Sequence, residues 1–128
     1  MGKPRQVLAL QTPVSTDDLV GMESTAALAA LLDCATTNGF TGSEFIDAMK
    51  LFKDAAAITG VTIYLPTAYD GPAMRHAERV HDLMQAITDG PVTTDLALVA
   101  TGAQPGTHFR HSLRGDLCEL TNVCTNQV

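Results

Sequence analysis

The chain has 128 residues, of which 45% are hydrophobic and 17% are charged; these values are typical of a single folded domain and exclude an intrinsically disordered chain. Eight Lys and Arg residues against fourteen Asp and Glu residues give a net charge of −6, which disfavours nucleic acids and anionic membranes as partners. An odd number of cysteines, three, favours reduced thiols. We therefore expect a soluble protein in the cytoplasm, or in the virion if the protein is viral.

The first predicted helix covers residues 16–37, where apolar residues recur at helical spacing. Asp17 and Asp18 supply negative charge at its start, and Gly39 follows its end. Its apolar arc is broad and rich in alanine, which predicts close contact with neighbours on two sides. Cys34 lies in this arc and is expected to be a buried, inert thiol.

The second predicted helix begins after Thr41, which with Glu44 has the spacing of a capping box, and ends before Gly60. The link between the two helices is short, so we expect them to pack as an antiparallel pair. The segment VTIYL at 61–65 is β-branched and aromatic and predicts a strand.

A third helix is predicted from Asp70 to about Thr88, with Pro72 near its first turn. Two more strands are predicted, at 95–101 because this segment is almost continuously apolar, and at 5–11. Strands separated by helices favour a small mixed or parallel sheet that is covered by helices.

After Gly102 the apolar pattern weakens, so we interpret 1–103 as one globular domain and 104–128 as a tail or arm. Three states of this tail remain open: a short helix around LCELTNV, an arm that packs on a neighbouring subunit, or no regular structure. The predicted fold is α/β or α+β, with about three strands, three main helices and an extended C-terminal tail.

The predicted helix at 71–84 holds the densest group of side chains that could bind a metal ion or transfer protons. His76 and His81 are five residues apart, which places them about 140° apart around the helix axis, so they cannot bind one metal ion together. We expect them on opposite flanks of the buried face, bonded to backbone or water. Arg79 and Asp82 have the spacing of an outward-facing ion pair.

A second possible metal site combines His108, His111, Cys118 and Cys124, because imidazole and thiolate both suit zinc. The spacing of these four residues matches no common zinc module. We therefore predict neither a metal nor a cofactor, and we leave open whether this set binds metal.

The best candidate ligand site follows the strand at 61–65, because open α/β sheets bind ligands beyond the carboxyl ends of their strands. Tyr69, Asp70, Arg75 and His76 lie there, at a predicted helix start that favours an anion. The chain has no nucleophile elbow, dinucleotide motif or phosphate-binding loop. These four residues are the predicted contacts of an anionic or polar small molecule, and no catalytic residue is assigned.

Four features of the sequence bear on function: a low content of charged residues, alanine-rich helices, polar segments at both ends of the chain, and the lack of a recognisable catalytic set. We predict a non-catalytic, homo-oligomeric structural or interaction protein, such as a phage or viral structural component or an accessory subunit. Its main partner would be another copy of the chain. A small enzyme or ligand-binding module that uses residues 69–76 is the alternative.

Overall fold

The computed structural model describes residues 10–58, 60–65, 73–102, 109–114 and 117–123. Within these ranges the chain forms five helices and a three-stranded antiparallel sheet, so its fold is of the mixed α/β class that the sequence predicts. The helices are α1 (Thr16–Leu19), α2 (Ser24–Thr37), α3 (Gly42–Ala57), α4 (Ala73–Asp89) and α5 (Pro91–Thr101). The strands are β1 (Thr62–Leu65), β2 (Phe109–Arg114) and β3 (Leu117–Asn122).

The predicted first helix is divided into α1 and α2. Ser15 and Asp18 form a capping box at the start of α1, and the chain leaves the helix at Val20. Gly21 follows with a φ of +78°, a left-handed conformation that interrupts the helix, and α2 begins at Ser24. The division exposes Val20, whose exposed fraction is 83%.

The central part of the chain agrees with the sequence prediction. Thr41 and Glu44 form the expected capping box at the start of α3, and β1 coincides with the predicted strand. Helix α4 follows the predicted third helix and ends at Asp89. The predicted cap, Asp70, and the predicted first-turn residue, Pro72, lie outside the described residues.

The prediction of a strand at 95–101 is wrong, because this segment belongs to α5. Gly90 precedes the helix and Pro91 occupies its first position, where a missing N–H costs nothing. The apolar run is continuous because α5 packs against α2, α3 and α4, so several of its sides are covered. Of the strand predicted at 5–11, residues 5–9 lie outside the described residues.

The segment predicted as a tail contributes two strands. Strand β3 lies in the middle of the sheet and pairs antiparallel with both β1 and β2, so the described sheet is antiparallel where a mixed or parallel sheet was predicted. Cys118 and Leu120 of β3 are fully buried in the core that α2, α3, α4 and α5 also form. The described part of 104–128 is therefore built into the fold, and LCELTNV is mainly strand rather than helix.

The hydrophobic core lies between the helices and one face of the sheet. Its largest fully buried side chains include Phe52 of α3, Ile87 of α4 and Leu96 of α5. Phe52 also meets Phe109 of β2 edge to face, with ring centroids 5.0 Å apart. Among the described helices, none combines the length and apolar character needed to cross a membrane.

Candidate functional site

Helices α3 and α4 contact each other through a row of charged side chains at the edge of the core. Arg79 Nε lies 3.1 Å from Glu44 Oε2, and His76 Nε2 lies 2.7 Å from Asp47 Oδ2. Glu44 and Asp47 are three residues apart on α3, and their partners are likewise three residues apart on α4. Because the two helices are antiparallel, the two pairs form side by side, one helical turn apart. We call these four residues the polar ladder.

The two carboxylates of the ladder are buried, with 8% of Glu44 and 8% of Asp47 exposed. Burial alone would raise the pKa of Glu44, but the backbone N–H of Thr41 and the guanidinium of Arg79 outweigh it and hold this pKa below its ordinary value. Glu44 therefore remains ionised at neutral pH, and its charge is compensated by Arg79.

Arg79 also contacts two parts of the loop between α2 and α3. Its guanidinium donates to the carbonyl oxygen of Gly39 and lies 4.5 Å from the centre of the Phe40 ring. The sequence predicted a pair of Arg79 with Asp82 on the same helix, and the structure shows Arg79 in contact with Glu44 on α3. Arg79 thus joins α4, α3 and the end of α2.

The four predicted ligand contacts have different positions. His76 is half-buried and is held by Asp47, whereas Arg75 is exposed on α4. Tyr69 and Asp70 lie outside the described residues, so the grouping of the four residues around one ligand stays a prediction. An imidazole bonded to a buried carboxylate has the arrangement of a general acid–base pair, which is the chemistry available at this position.

His81 contacts a different part of the fold from His76. Its Nε2 lies 3.3 Å from Nδ1 of His111 on β2, and the two rings meet edge to face. The two histidines of α4 therefore face different parts of the fold, as their spacing around the helix axis predicts. The contacts with Asp47 and His111 are with side chains, whereas the sequence predicted bonds to backbone or water.

The pKa of His111 is perturbed by its surroundings. Burial lowers its pKa below the ordinary value, the nearby His81 lowers it further, and Asp89 opposes both effects. The imidazole of His111 is therefore neutral at pH 7. Its other ring nitrogen, Nε2, lies 3.3 Å from the hydroxyl of Thr88.

The zinc set considered from the sequence is only partly described. His108 and Cys124 lie outside the described residues, and Cys118 is a free, fully buried thiol. Burial, with a further contribution from Glu119, raises the pKa of Cys118 to about 12, so it is a poor thiolate ligand. The described residues contain no group of three or more metal-binding side chains.

Cys34 is a free, buried thiol that donates to the carbonyl oxygen of Gln11 at 2.8 Å. Burial raises its pKa above the ordinary value. The prediction that Cys34 is inert is consistent with both observations.

An apolar cleft of about 360 Å³ lies between α2, α3 and α5. Leu28 of α2 and Ile46 of α3 line it and are exposed, at 39% and 56%. Lys50 and Lys53 also line the cleft, as the next exposed residues of α3 on the side of Ile46. The cleft therefore offers an apolar surface beside two positive charges.

Sequence reasoning missed the ladder partners Glu44 and Asp47, and it missed the pairing of His81 with His111. A signal for the ladder was present, because Glu44 and Asp47 are three apart on one predicted helix and His76 and Arg79 are three apart on another. Antiparallel packing of these helices would have matched acid to base. For the histidine pair no such signal existed, because the strand containing His111 was not predicted.

Comparisons of the chain with protein-family models, with curated proteins and with solved structures found no match.

Proposed function

We propose that the protein is a non-catalytic building block that binds a second copy of itself through the cleft between α2 and α3. The observation that carries this proposal is the exposure of Ile46 and Leu28 at the cleft, with Leu32, 37% exposed, one turn further along α2. Clustered exposed apolar side chains are typical of a binding surface. Burial of the exposed half of Ile46 would contribute roughly 1 kcal/mol to association. We call Leu28, Leu32, Ile46, Lys50 and Lys53 the cleft face.

The charge of the cleft face supports the choice of partner. Two of the three lysines of the chain lie there, although the chain as a whole has a net charge of −6. An acidic surface that carries an apolar residue would complement this face, and a second copy of the chain supplies such a surface.

Helix α1 is the acidic surface that fits best. Its first turn contains Asp17 and Asp18, and Val20 directly after it is 83% exposed. Helix α1 packs on α5, which itself lines the cleft. A surface that holds apolar groups and both signs of charge can be self-complementary, as a twofold dimer requires. Self-association of this kind supports a role as a viral structural component or an accessory subunit, in the virion or in the cytoplasm.

The experiment compares substitutions of two exposed isoleucines, Ile46 on α3 and Ile58 at the C-cap of the same helix. Ile46→Glu puts a negative charge on the cleft face four residues before Lys50, a spacing that preserves the helix. Ile58→Glu is the matched control, because Ile58 is 49% exposed but lies about 18 Å further along the chain direction of α3. Sedimentation velocity should show association weakened by about tenfold or more in Ile46→Glu, and unchanged in Ile58→Glu. Equal association of both variants and the wild type would contradict the proposal.

A ligand-binding or enzymatic role for residues 69–76 is the second candidate, favoured by the bond between His76 and the buried carboxylate of Asp47. An anionic ligand at this position would raise the melting temperature according to its concentration and affinity. A panel of phosphate, nucleotide and carboxylate ligands measures this shift. Stabilisation that is lost in Arg75→Ala would favour the second candidate, and an unchanged melting temperature across the panel would count against it.

Truncation at residue 103 does not separate the two candidates. It removes β3, the central strand of the sheet, together with the buried side chains of Cys118 and Leu120. Loss of both association and ligand binding would then follow from unfolding. Point substitutions at exposed positions are therefore the informative variants.

A further inference from the structure

Two imidazole rings meet where α4 packs on β2. His81 Nε2 lies 3.3 Å from His111 Nδ1, and the ring centroids are 5.1 Å apart at an interplanar angle of 74°. Both residues are half-buried, so the space beside them is reachable from solvent. They are 30 positions apart in the sequence, and anything that binds both nitrogens joins the helix to the sheet.

The hydroxyl of Thr88 favours one tautomer of His111. Its single hydrogen has the carbonyl oxygens of Met84 and Gln85 as acceptors, at 3.0 and 3.1 Å. When the hydrogen is donated to either carbonyl, the hydroxyl oxygen accepts a hydrogen bond from Nε2 of His111, 3.3 Å away. Neutral His111 then has its proton on Nε2, and its Nδ1 directs a lone pair toward His81.

The separation of the two nitrogens matches a metal site. Two nitrogens at about 2.0–2.1 Å from Zn²⁺ and at a tetrahedral angle lie about 3.3–3.4 Å apart. A histidine that binds a metal through one nitrogen usually donates its other N–H to an oxygen, which Thr88 provides for His111. Imidazole is a favoured ligand of zinc, copper and nickel.

We propose that His81 Nε2 and His111 Nδ1 bind one divalent late transition-metal ion, with Zn²⁺ as the best match. Among the described residues these two nitrogens are the ligands offered, because no group of three or more metal-binding side chains is found there. The bound ion links α4 to β2 and stabilises the folded chain by mass action.

A hydrogen bond between the rings is the competing explanation. It would require the proton of His81 to lie on Nε2 and to be donated to Nδ1 of His111, 3.3 Å away. Under that explanation neither nitrogen is available for a metal. The two explanations therefore differ in whether zinc binds.

The experiment measures zinc binding to the full chain by equilibrium dialysis against ZnCl₂ and records the melting temperature with and without zinc. The variants are His81→Gln and His111→Gln, and the matched control is His76→Gln, which removes the other half-buried histidine of α4. We expect one zinc per wild-type chain, a higher melting temperature with zinc, and affinity reduced by about tenfold or more in both variants but not in the control.

Two results would overturn the metal site. One is the absence of zinc binding by the wild type; the other is binding of equal strength in the wild type, His81→Gln and His111→Gln, which would place the ion elsewhere. If His111→Gln does not fold, His81→Gln decides the question, because glutamine is a good helix former at a half-buried position of α4. Co²⁺ substitution supplies an independent readout, since its absorption spectrum reports imidazole coordination.

Discussion

Two faces of helix α3 differ in what they bury. The face toward α4 buries the carboxylates of Glu44 and Asp47, and a second face, roughly 130° around the helix axis, exposes Ile46. Buried charge and exposed apolar surface are the two departures from ordinary residue placement that carry information. The polar ladder is satisfied within the chain by Arg79 and His76. The cleft face has no corresponding cover among the described residues, which is why we assign the ladder to the fold and the cleft face to a partner.

Under the proposed self-association, one face of α3 serves stability and another serves association. Buried ion pairs are costly to break because one partner is left without compensation. An exposed isoleucine, in contrast, contributes little to the fold, and its substitution leaves the buried core unchanged. Substitutions on the two faces of α3 should therefore change different measurements.

The largest effect on stability is expected for Arg79→Ala. This substitution leaves Glu44 buried without its cation and removes the contacts with Gly39 and Phe40. We expect the free energy of unfolding to fall by about 2 kcal/mol, measured by urea denaturation. Arg75→Ala is the matched control, because Arg75 is exposed on the same helix, and it should change the free energy by less than about 0.5 kcal/mol. Equal losses of unfolding free energy in both variants would show that the polar ladder does not contribute to stability.

A smaller effect is expected for Glu44→Gln, and it depends on pH. Because the pKa of Glu44 in the folded chain lies below its ordinary value of 4.5, the unfolded chain binds its proton more readily. The stabilisation from this carboxylate is therefore complete above pH 4.5 and is lost as the pH falls through the folded-state pKa. Gln keeps the capping geometry at this position but carries no charge.

We expect Glu44→Gln to cost about 1 kcal/mol at pH 7 and to reduce the loss of stability in acid. Thermal unfolding of both proteins from neutral pH to below pH 4.5 measures the difference. Parallel curves over this range would show that Glu44 does not contribute to the acid sensitivity.

The smallest effect on stability is expected on the cleft face. Ile46→Glu should change the free energy of unfolding of the monomer by less than about 0.5 kcal/mol, because the side chain is 56% exposed. Urea denaturation at a low protein concentration, where the monomer prevails, is the measurement. A loss as large as that of Arg79→Ala would show that Ile46 belongs to the core, and the contrast between the two faces would then fail.

Local signals in the sequence predicted much of the fold. The Thr41 and Glu44 capping box and the β-branched segment at 61–65 determine structure within a few residues, so both predictions are confirmed. The apolar run at 95–101 fits a buried strand or a buried helix equally well, and the Gly90 and Pro91 pair before it was the helix signal that was overlooked. Segment FRHSLR alternates Phe, His and Leu with Arg and Ser, but a strand this short is convincing only once its partners are known.

The candidate site was less predictable because its contacts join distant segments. Helical geometry was enough to place His76 and His81 on different flanks of α4. It could not show that His76 contacts Asp47 and that His81 contacts His111, because these pairs are 29 and 30 positions apart in the sequence. Asp82 is the local candidate partner of Arg79, and the sequence did not indicate its contact with the distant carboxylate of Glu44, which is fixed by its capping role.

The most direct test of the account is the mass of the unmodified chain in solution as its concentration rises, measured by sedimentation equilibrium. We predict that the mass increases from that of the 13.5 kDa chain to at least twice this value, and that Ile46→Glu remains at 13.5 kDa over the same range. A wild-type mass of 13.5 kDa at every concentration into the millimolar range would contradict self-association through the cleft face.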